Sequence, residues 1–195
     1  MDKKSVSAFA PASISFFVKL YGHENPRWAG SYGVGATLRE GVVVEVKKSV
    51  KTKISFNNKK VIFPTVLSVI KKLTNENIEA SITSPLPLGA GFALSGAAAL
   101  ATAYATNKLF SLGKSKKDLA VLSHIAEIEN KTGAGNIVNQ YYGGMFLKRK
   151  PSSHFIVERI PISNTYVYYK YFGKLATPAI LSNTILQDKI ERAGS

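Results

Sequence analysis

Between Pro85 and Leu100 the chain reads Pro-Leu-Pro-Leu-Gly-Ala-Gly-Phe-Ala-Leu-Ser-Gly-Ala-Ala-Ala-Leu, a glycine-rich stretch that runs straight into an alanine-rich one. Glycine admits backbone angles and close approaches that a side chain forbids. The first turn of a helix leaves N–H groups unpaired at the positive end of its dipole. Together they make a cradle for an anion, above all a phosphate. Ser95, at the start of that helix, offers a hydroxyl to a phosphate or a divalent cation. Downstream, Glu127 and Glu129 supply carboxylates, and a second glycine turn, Thr132-Gly-Ala-Gly-Asn136, follows them. Phosphoryl transfer asks for these parts: backbone cradling of a polyphosphate, oxygen ligands for Mg²⁺, and a polar group that orients the attacking hydroxyl. Spaced two apart on a helix, Glu127 and Glu129 cannot both face inward. Taken singly, each feature has a plain alternative as a packing glycine or a solvated carboxylate, and it is the cluster that favours a nucleotide.

The elements that position these residues follow from periodicity and punctuation. Alternation predicts strands over Val6–Ala10 and Ile14–Leu20, interrupted at Pro11, and a hairpin or meander from Gly33–Leu38 into Val42–Phe56. Pro64 opens an amphipathic helix through Lys72, and Ile78–Thr83 returns as a strand into the glycine loop. Helices are predicted over Ser95–Phe110 and, capped by Ser115, over Lys116–Asn130, the latter with Leu119, Leu122, Ile125 and Ile128 on its apolar side. After the turn at Gly133–Gly135, strands are predicted over Gly143–Lys148, Phe155–Ile160 and Thr165–Phe172, then a last helix from Thr177-Pro178 to near Gly194. This is an α+β order. It lacks the Gly-Lys-Ser/Thr ending of a Walker loop and the GxGxxG of a dinucleotide fold.

At 195 residues and 45% hydrophobic content the chain can build one well-cored domain with a fragment of a second. Without cysteine it has no disulfide or thiolate metal site, and its 3 scattered histidines do not suggest a structural zinc. No apolar run follows the N-terminus, and the small-residue run Gly96–Ala105 falls short of the roughly 20 residues that span a bilayer. We therefore expect a soluble, cytoplasmic protein with no membrane partner. The formal charge of +14 invites a nucleic-acid partner. Its pattern argues against one: lysines fall in scattered pairs, with no arginine-rich arm and no aromatic-basic motif.

The segment Pro87-Leu-Gly-Ala-Gly-Phe-Ala-Leu-Ser-Gly-Ala97 resembles P-x-x-x-G-x-G-S-S-A-A, the central motif of the GHMP kinases, with Ser95 at the Mg²⁺-binding serine. Ala10-Pro-Ala-Ser-Ile14 is similar to the first motif of that family, A-P-G-x-I. Within the family the chain is most similar to the archaeal pantoate kinases. Ala8–Phe17, Gly30–Gly35, and Glu127–Gln140 with Gly143-Gly144 carry this, the last resembling E-x-E-N-x-T-G-x-G-D-V-x-A-Q and a Gly-Gly pair.

The resemblance implies an N-terminal domain like ribosomal protein S5 domain 2 over residues 1–160, with the opening strand and helix of a C-terminal domain over 161–195. It implies ATP and Mg²⁺ as cofactors and phosphorylation of the 4-hydroxyl of pantoate, or a similar small hydroxy acid, in coenzyme A biosynthesis. Pro87, Gly89, Ala90, Gly91, Phe92, Ala93, Leu94, Ser95, Gly96 and Ala97 would hold the nucleotide. Ser95 and Glu127, with Glu129 as the alternative, would hold the metal; Asn136 and Ser95 would be catalytic. Ser13, Ser15, Arg27, Gly30, Ser31, Gly33 and Gly35 would bind the substrate, Arg27, Lys19 or His23 facing its carboxylate. A homodimer is left open.

The departures from the family pattern bear on chemistry. Asn136 stands where related enzymes place an aspartate, and an amide cannot accept the hydroxyl proton. Ala12 and Ala93 replace glycines, adding a methyl where the backbone approaches a ligand or needs a positive φ. The sequence stops at Gly194-Ser195, where the family's second domain is expected to begin. A fragment, a separately encoded half and a degenerate paralogue are all compatible with that. The competing readings are therefore a catalytically weak or inactive nucleotide- or partner-binding protein, and an RNA-binding domain drawn from charge and shared fold.

Overall fold

Two long antiparallel strands form the spine of the fold in a computed structural model that describes residues 5–163, 165–171, 173, 183, 185, 186, 189 and 192. β1 (Ser5–Tyr21) and β2 (Gly30–Lys48) pair from Ser5 opposite Lys47 to Tyr21 opposite Gly30. Pro11 does not divide β1 into two strands as the sequence suggested. It sits at a register shift between Pro11 and Ser13, and a second shift follows between Ser15 and Phe17. A strand bonded on one side tolerates the missing N–H of proline at a bulge. Opposite it, Gly41 allows the close approach, since a Cβ there would collide with the Ala10 carbonyl.

The predicted hairpin between Gly33–Leu38 and Val42–Phe56 is replaced by a different pairing. β2 runs unbroken through both predicted pieces and takes β1 as its antiparallel partner, while β3 (Lys53–Phe56) is a separate strand. β3 lies parallel to β5 (Ile78–Thr83) and turns through Asn57 and Asn58, at φ 47 and 64, into the short β4 (Lys59–Lys60). Positive φ at both central residues is what a tight hairpin turn demands, and asparagine tolerates it. The 7-stranded sheet has the order β4-β3-β5-β2-β6-β7 with β1 on β2, where β6 is Met145–Lys148 and β7 is Glu158–Ile160.

Val42, Val44 and Val46 alternate inward from β2 and meet Ile78, Ala80 and Ile82 of β5, all fully buried. On that face lies α2 (Leu94–Leu109), buried on nearly every side. Its alanines let the helix approach the sheet and its neighbours closely, and a helix without a polar face belongs inside. α1 (Pro64–Leu73) starts on its proline as expected and packs on α2 and on α3 (Lys116–Glu129). Ser115 caps α3 by accepting from the Asp118 N–H.

The buried face of α3 differs from the expected apolar stripe. Leu119 is buried, but Leu122, Ile125 and Ile128 are only half-buried, and the inward face carries Ser123, His124 and Glu127. α4 (Asn136–Tyr142) has no counterpart among the predicted elements. The predicted strand Phe155–Ile160 shrinks to β7, because a turn of 3₁₀ helix at Ser152–His154 and a left-handed Phe155 precede it. The predicted strand Thr165–Phe172 is not formed over 165–171: among the described residues the alternating tyrosines there have no partner strand, and Tyr166 and Tyr168 are exposed. Phe172 and most of the predicted helix from Thr177 to Gly194 lie outside the described residues. No helix among the described residues is long and apolar enough to cross a membrane.

Candidate active site

The glycine loop joins β5 to α2, and its backbone alternates in hand. Gly89, Gly91 and Ala93 have positive φ, at 81, 84 and 50, while Ala90 and Phe92 between them do not. Such alternation turns successive N–H groups toward one side and forms a concavity for an anion. A Cβ on Gly91 would meet nothing within 4 Å, so it is the φ that requires glycine there. No side chain caps α2, which leaves its first-turn N–H groups open at the same spot. Ala93 adopts the left-handed geometry in spite of its methyl, a strained choice for any residue but glycine.

Ser95 turns its hydroxyl away from the helix end. It donates to Glu127 Oε1 at 3.0 Å and lies 3.2 Å from the Thr132 carbonyl. Glu127 is 1% exposed, and its second oxygen, Oε2, is buried without a partner. Burial pushes its carboxyl up to about 7, against the pull of the Ser95 hydrogen bond. Glycines make room for this carboxylate: a Cβ on Gly133 would stand 2.6 Å from both oxygens, and one on Gly96 3.0 Å from Oε2. Glu129 faces the opposite way and forms an ion pair with Lys72 at 2.9 Å on the surface. The geometry thus separates the two carboxylates as their spacing required.

The third group gathers around Asn136. Its Oδ1 accepts from Ser13 Oγ at 3.2 Å and Ser15 Oγ at 3.3 Å, which directs the amide nitrogen away from β1. Ser152 clips β2 to the glycine turn: its hydroxyl accepts from the Ser31 N–H at 3.0 Å and donates to the Ala134 carbonyl at 2.9 Å. Gly30 and Gly135 are both pressed against Ser152, and Gly35 against Asn139. Ser13 and Ser15 therefore meet Asn136 itself, Ser31 lies against the turn at Gly135, and Gly30 and Gly35 reach only its neighbours Ser152 and Asn139. Gly33 lies further along β2 at φ 128 under the Phe17 carbonyl. Arg27 is exposed with its guanidinium over the Trp28 ring at 5.5 Å, and Lys19 and His23 are exposed as well.

Residues 61–144 match the family described as the GHMP kinases N-terminal domain. Over 191 residues the chain is 34% identical to the pantoate kinase of Methanocaldococcus jannaschii, covering 95% of this chain and 69% of that relative. The chain belongs to the GHMP kinase family. It is also 28% identical to the pantoate kinase of Methanospirillum hungatei, over 94% of this chain and 66% of that one. A solved structure described as a phosphotransferase related to the CoA biosynthesis pathway superposes with a TM-score of 0.74 at 28% identity, over 82% of this chain and 58% of that one. The chain spans about two thirds of the length of the curated relatives it matches.

For a GHMP kinase the residues present suit a nucleotide and its cation. The loop's positive φ at Gly89, Gly91 and Ala93 and its place before α2 are compatible with phosphate groups, and the orphaned Oε2 of Glu127 is a buried oxygen that a cation would satisfy. Among the described residues no group of three or more His, Asp or Glu side chains could hold a metal alone.

Among the residues near this site, Asn139 and Gln140 fall within the motif-bearing stretch Glu127–Gln140, whereas Lys148 and His124 gave no signal in the sequence. Lys148, 3% exposed on β6 opposite Gly33, donates to the Gly135 carbonyl at 3.2 Å, and burial lowers its ammonium to about 8. His124 bonds the Ala29 carbonyl through Nε2 at 2.9 Å; burial lowers its pKa, the Ala29 contact opposes this, and Lys148 adds to the lowering. Gln140 reaches the Ala93 carbonyl, and Asn139 buries both amide atoms without partners. Their placement depends on α4 and β6 folding back over β2, which local sequence does not reveal.

Proposed function

We propose that this chain forms the nucleotide-binding part of an ATP-dependent cytoplasmic kinase that phosphorylates the 4-hydroxyl of pantoate, or of a closely similar hydroxy acid, in coenzyme A synthesis. The observation that carries the reading is the pairing of Ser95 with buried Glu127 beside the alternating glycine loop. The names of the relatives support the acceptor class and favour a kinase over a binding-only or RNA-binding protein.

Bound there, ATP with Mg²⁺ would supply the γ-phosphoryl group and the charge that stabilises its transfer. The chain contributes position and field. N–H groups of the loop and of the first turn of α2 would hold the phosphates, and Ser95 Oγ and Glu127 Oε2 would be the protein's oxygen ligands for the cation. Asn136, with its oxygen occupied by Ser13 and Ser15, presents its amide N–H groups toward the acceptor. Such a group orients a hydroxyl but takes no proton from it. Catalysis then rests on placement and electrostatics, which phosphoryl transfer can exploit because it asks little covalent work of the protein.

Calorimetric titration with MgATP, together with coupled ADP release on pantoate, tests this. Binding and pantoate-dependent turnover are expected. A folded sample that binds no nucleotide at millimolar ATP would sink the kinase reading, and turnover on a different hydroxy acid would replace the acceptor.

A further inference from the structure

Gln140 lies on α4, one turn beyond Asn136, and is 4% exposed. Its Nε2 donates at 2.9 Å to the Ala93 carbonyl, 47 residues earlier in the chain. That carbonyl also receives the Ala97 N–H at 3.2 Å, so it opens the hydrogen-bond ladder of α2. Ala93 is the strained member of the loop, left-handed at φ 50 and ψ 36 where Gly89 and Gly91 adopt the same hand freely. A residue with a Cβ stays there only when surrounding contacts hold it. Gln140 is the side chain that does so.

The other half of the Gln140 amide is unspent. Oε1 is buried without a partner, and buried polar atoms in folded proteins nearly always have one. A Cβ on Gly96 would stand 2.9 Å from this oxygen and 3.0 Å from the equally unpartnered Oε2 of Glu127, so both acceptors converge over one glycine in the first turn of α2. We propose that Gln140 is a positioning residue for the nucleotide: it holds the left-handed turn at Ala93, and through it the direction of the loop N–H groups that receive phosphates. Its oxygen remains an acceptor on the Glu127 side of the cradle. The inference rests on the nucleotide reading above and adds to it a residue outside the glycine loop.

Two measurements on Gln140→Met test it, a change that keeps the volume but removes the donor. In the nucleotide-free chain, amide hydrogen exchange should accelerate about tenfold through Gly91–Ser95, as expected for a lost buried hydrogen bond, with β5 and α3 unchanged. By calorimetry, the Kd for MgATP should rise about tenfold. Thermal stability should hold or increase, because an unsatisfied buried oxygen is removed along with the tether. Ala93→Gly supplies the second arm. With glycine free to adopt the left-handed turn, Gln140→Met should weaken MgATP by less than about threefold in that background, a failure of additivity that marks residues acting as one unit. Unchanged exchange in the loop, or the same loss of affinity in both backgrounds, overturns the role of Gln140. If the unsubstituted chain binds no MgATP, the nucleotide reading falls and takes this role with it; if that chain binds and Gln140→Met binds equally well, Gln140 alone is wrong.

Discussion

Burial favours the protonated form of Glu127 when no cation is bound. Burial raises its carboxyl from 4.5 to about 7, so the folded state binds a proton that the unfolded state releases first. The sign follows: this stabilisation is complete below the unfolded value and is lost as pH climbs through the folded one. In the absence of nucleotide and metal, stability should fall between about pH 4.5 and 7, by on the order of 3 kcal/mol at most. Denaturant melts across that range measure it, and Glu127→Gln should flatten the slope. A steep fall that persists in Glu127→Gln would place the titration elsewhere. Asn136 carries a second prediction. Ser13 and Ser15 would donate to a carboxylate at 136 as they do to the amide oxygen, so Asn136→Asp should fold unchanged and raise kcat, by up to about 10²-fold, through general-base help. Steady-state kinetics on pantoate check this, and an unchanged kcat would mean that the proton leaves by another route.

At the scale of elements, the loop between β5 and α2 was readable because its signal is local. Glycine before a helix speaks for itself, and so do Pro64 at the start of α1 and Ser115 at the cap of α3. α4 was silent: Ile137 and Val138 are β-branched, Asn136 and Asn139 are weak helix formers, and seven residues lie far below the length at which a helix stands alone. It exists because β1, β2 and α3 pack against it. The face of α3 was misread for a related reason. Periodicity finds apolar stripes, whereas this helix spends its inward face on His124 and Glu127, turned toward the site. Two substitutions probe how finely these elements fit. Ala93→Gly should stabilise the chain by about 1 kcal/mol, because relief of the left-handed alanine outweighs the added freedom of glycine when unfolded; its melting temperature should rise, and a fall would contradict the strain. Gly133→Ala should do the reverse. Its Cβ would stand 2.6 Å from both Glu127 oxygens, so a loss of about 2 kcal/mol or more and weaker MgATP binding are expected, and calorimetry reads both.

For the whole molecule, charge and topology lie on different levels. Lys and Arg number 26 against 12 Asp and Glu, and among the described residues the ion pairs are few and at the surface. Self-repulsion should therefore limit stability at low ionic strength, and raising salt from about 20 to 200 mM should raise the melting temperature as the charges are screened. A decrease would mean that the surface pairs outweigh the repulsion. That imbalance is a sum over composition, and the sequence determined it outright. Sequence also determined the glycine loop, the caps and the family motifs, since each is written in neighbouring residues. Only the tertiary structure decided that β2 pairs with β1 rather than folding on itself, and that Lys53–Phe56 runs parallel to β5. It alone buried Glu127 against Ser95 while leaving Glu129 to Lys72 on the surface, set Asn136 against Ser13 and Ser15 more than a hundred residues away, and tied Gln140 to Ala93. Those outcomes depend on which surfaces bury together, and burial is a property of the assembled sheet and helices that no local run of residues contains.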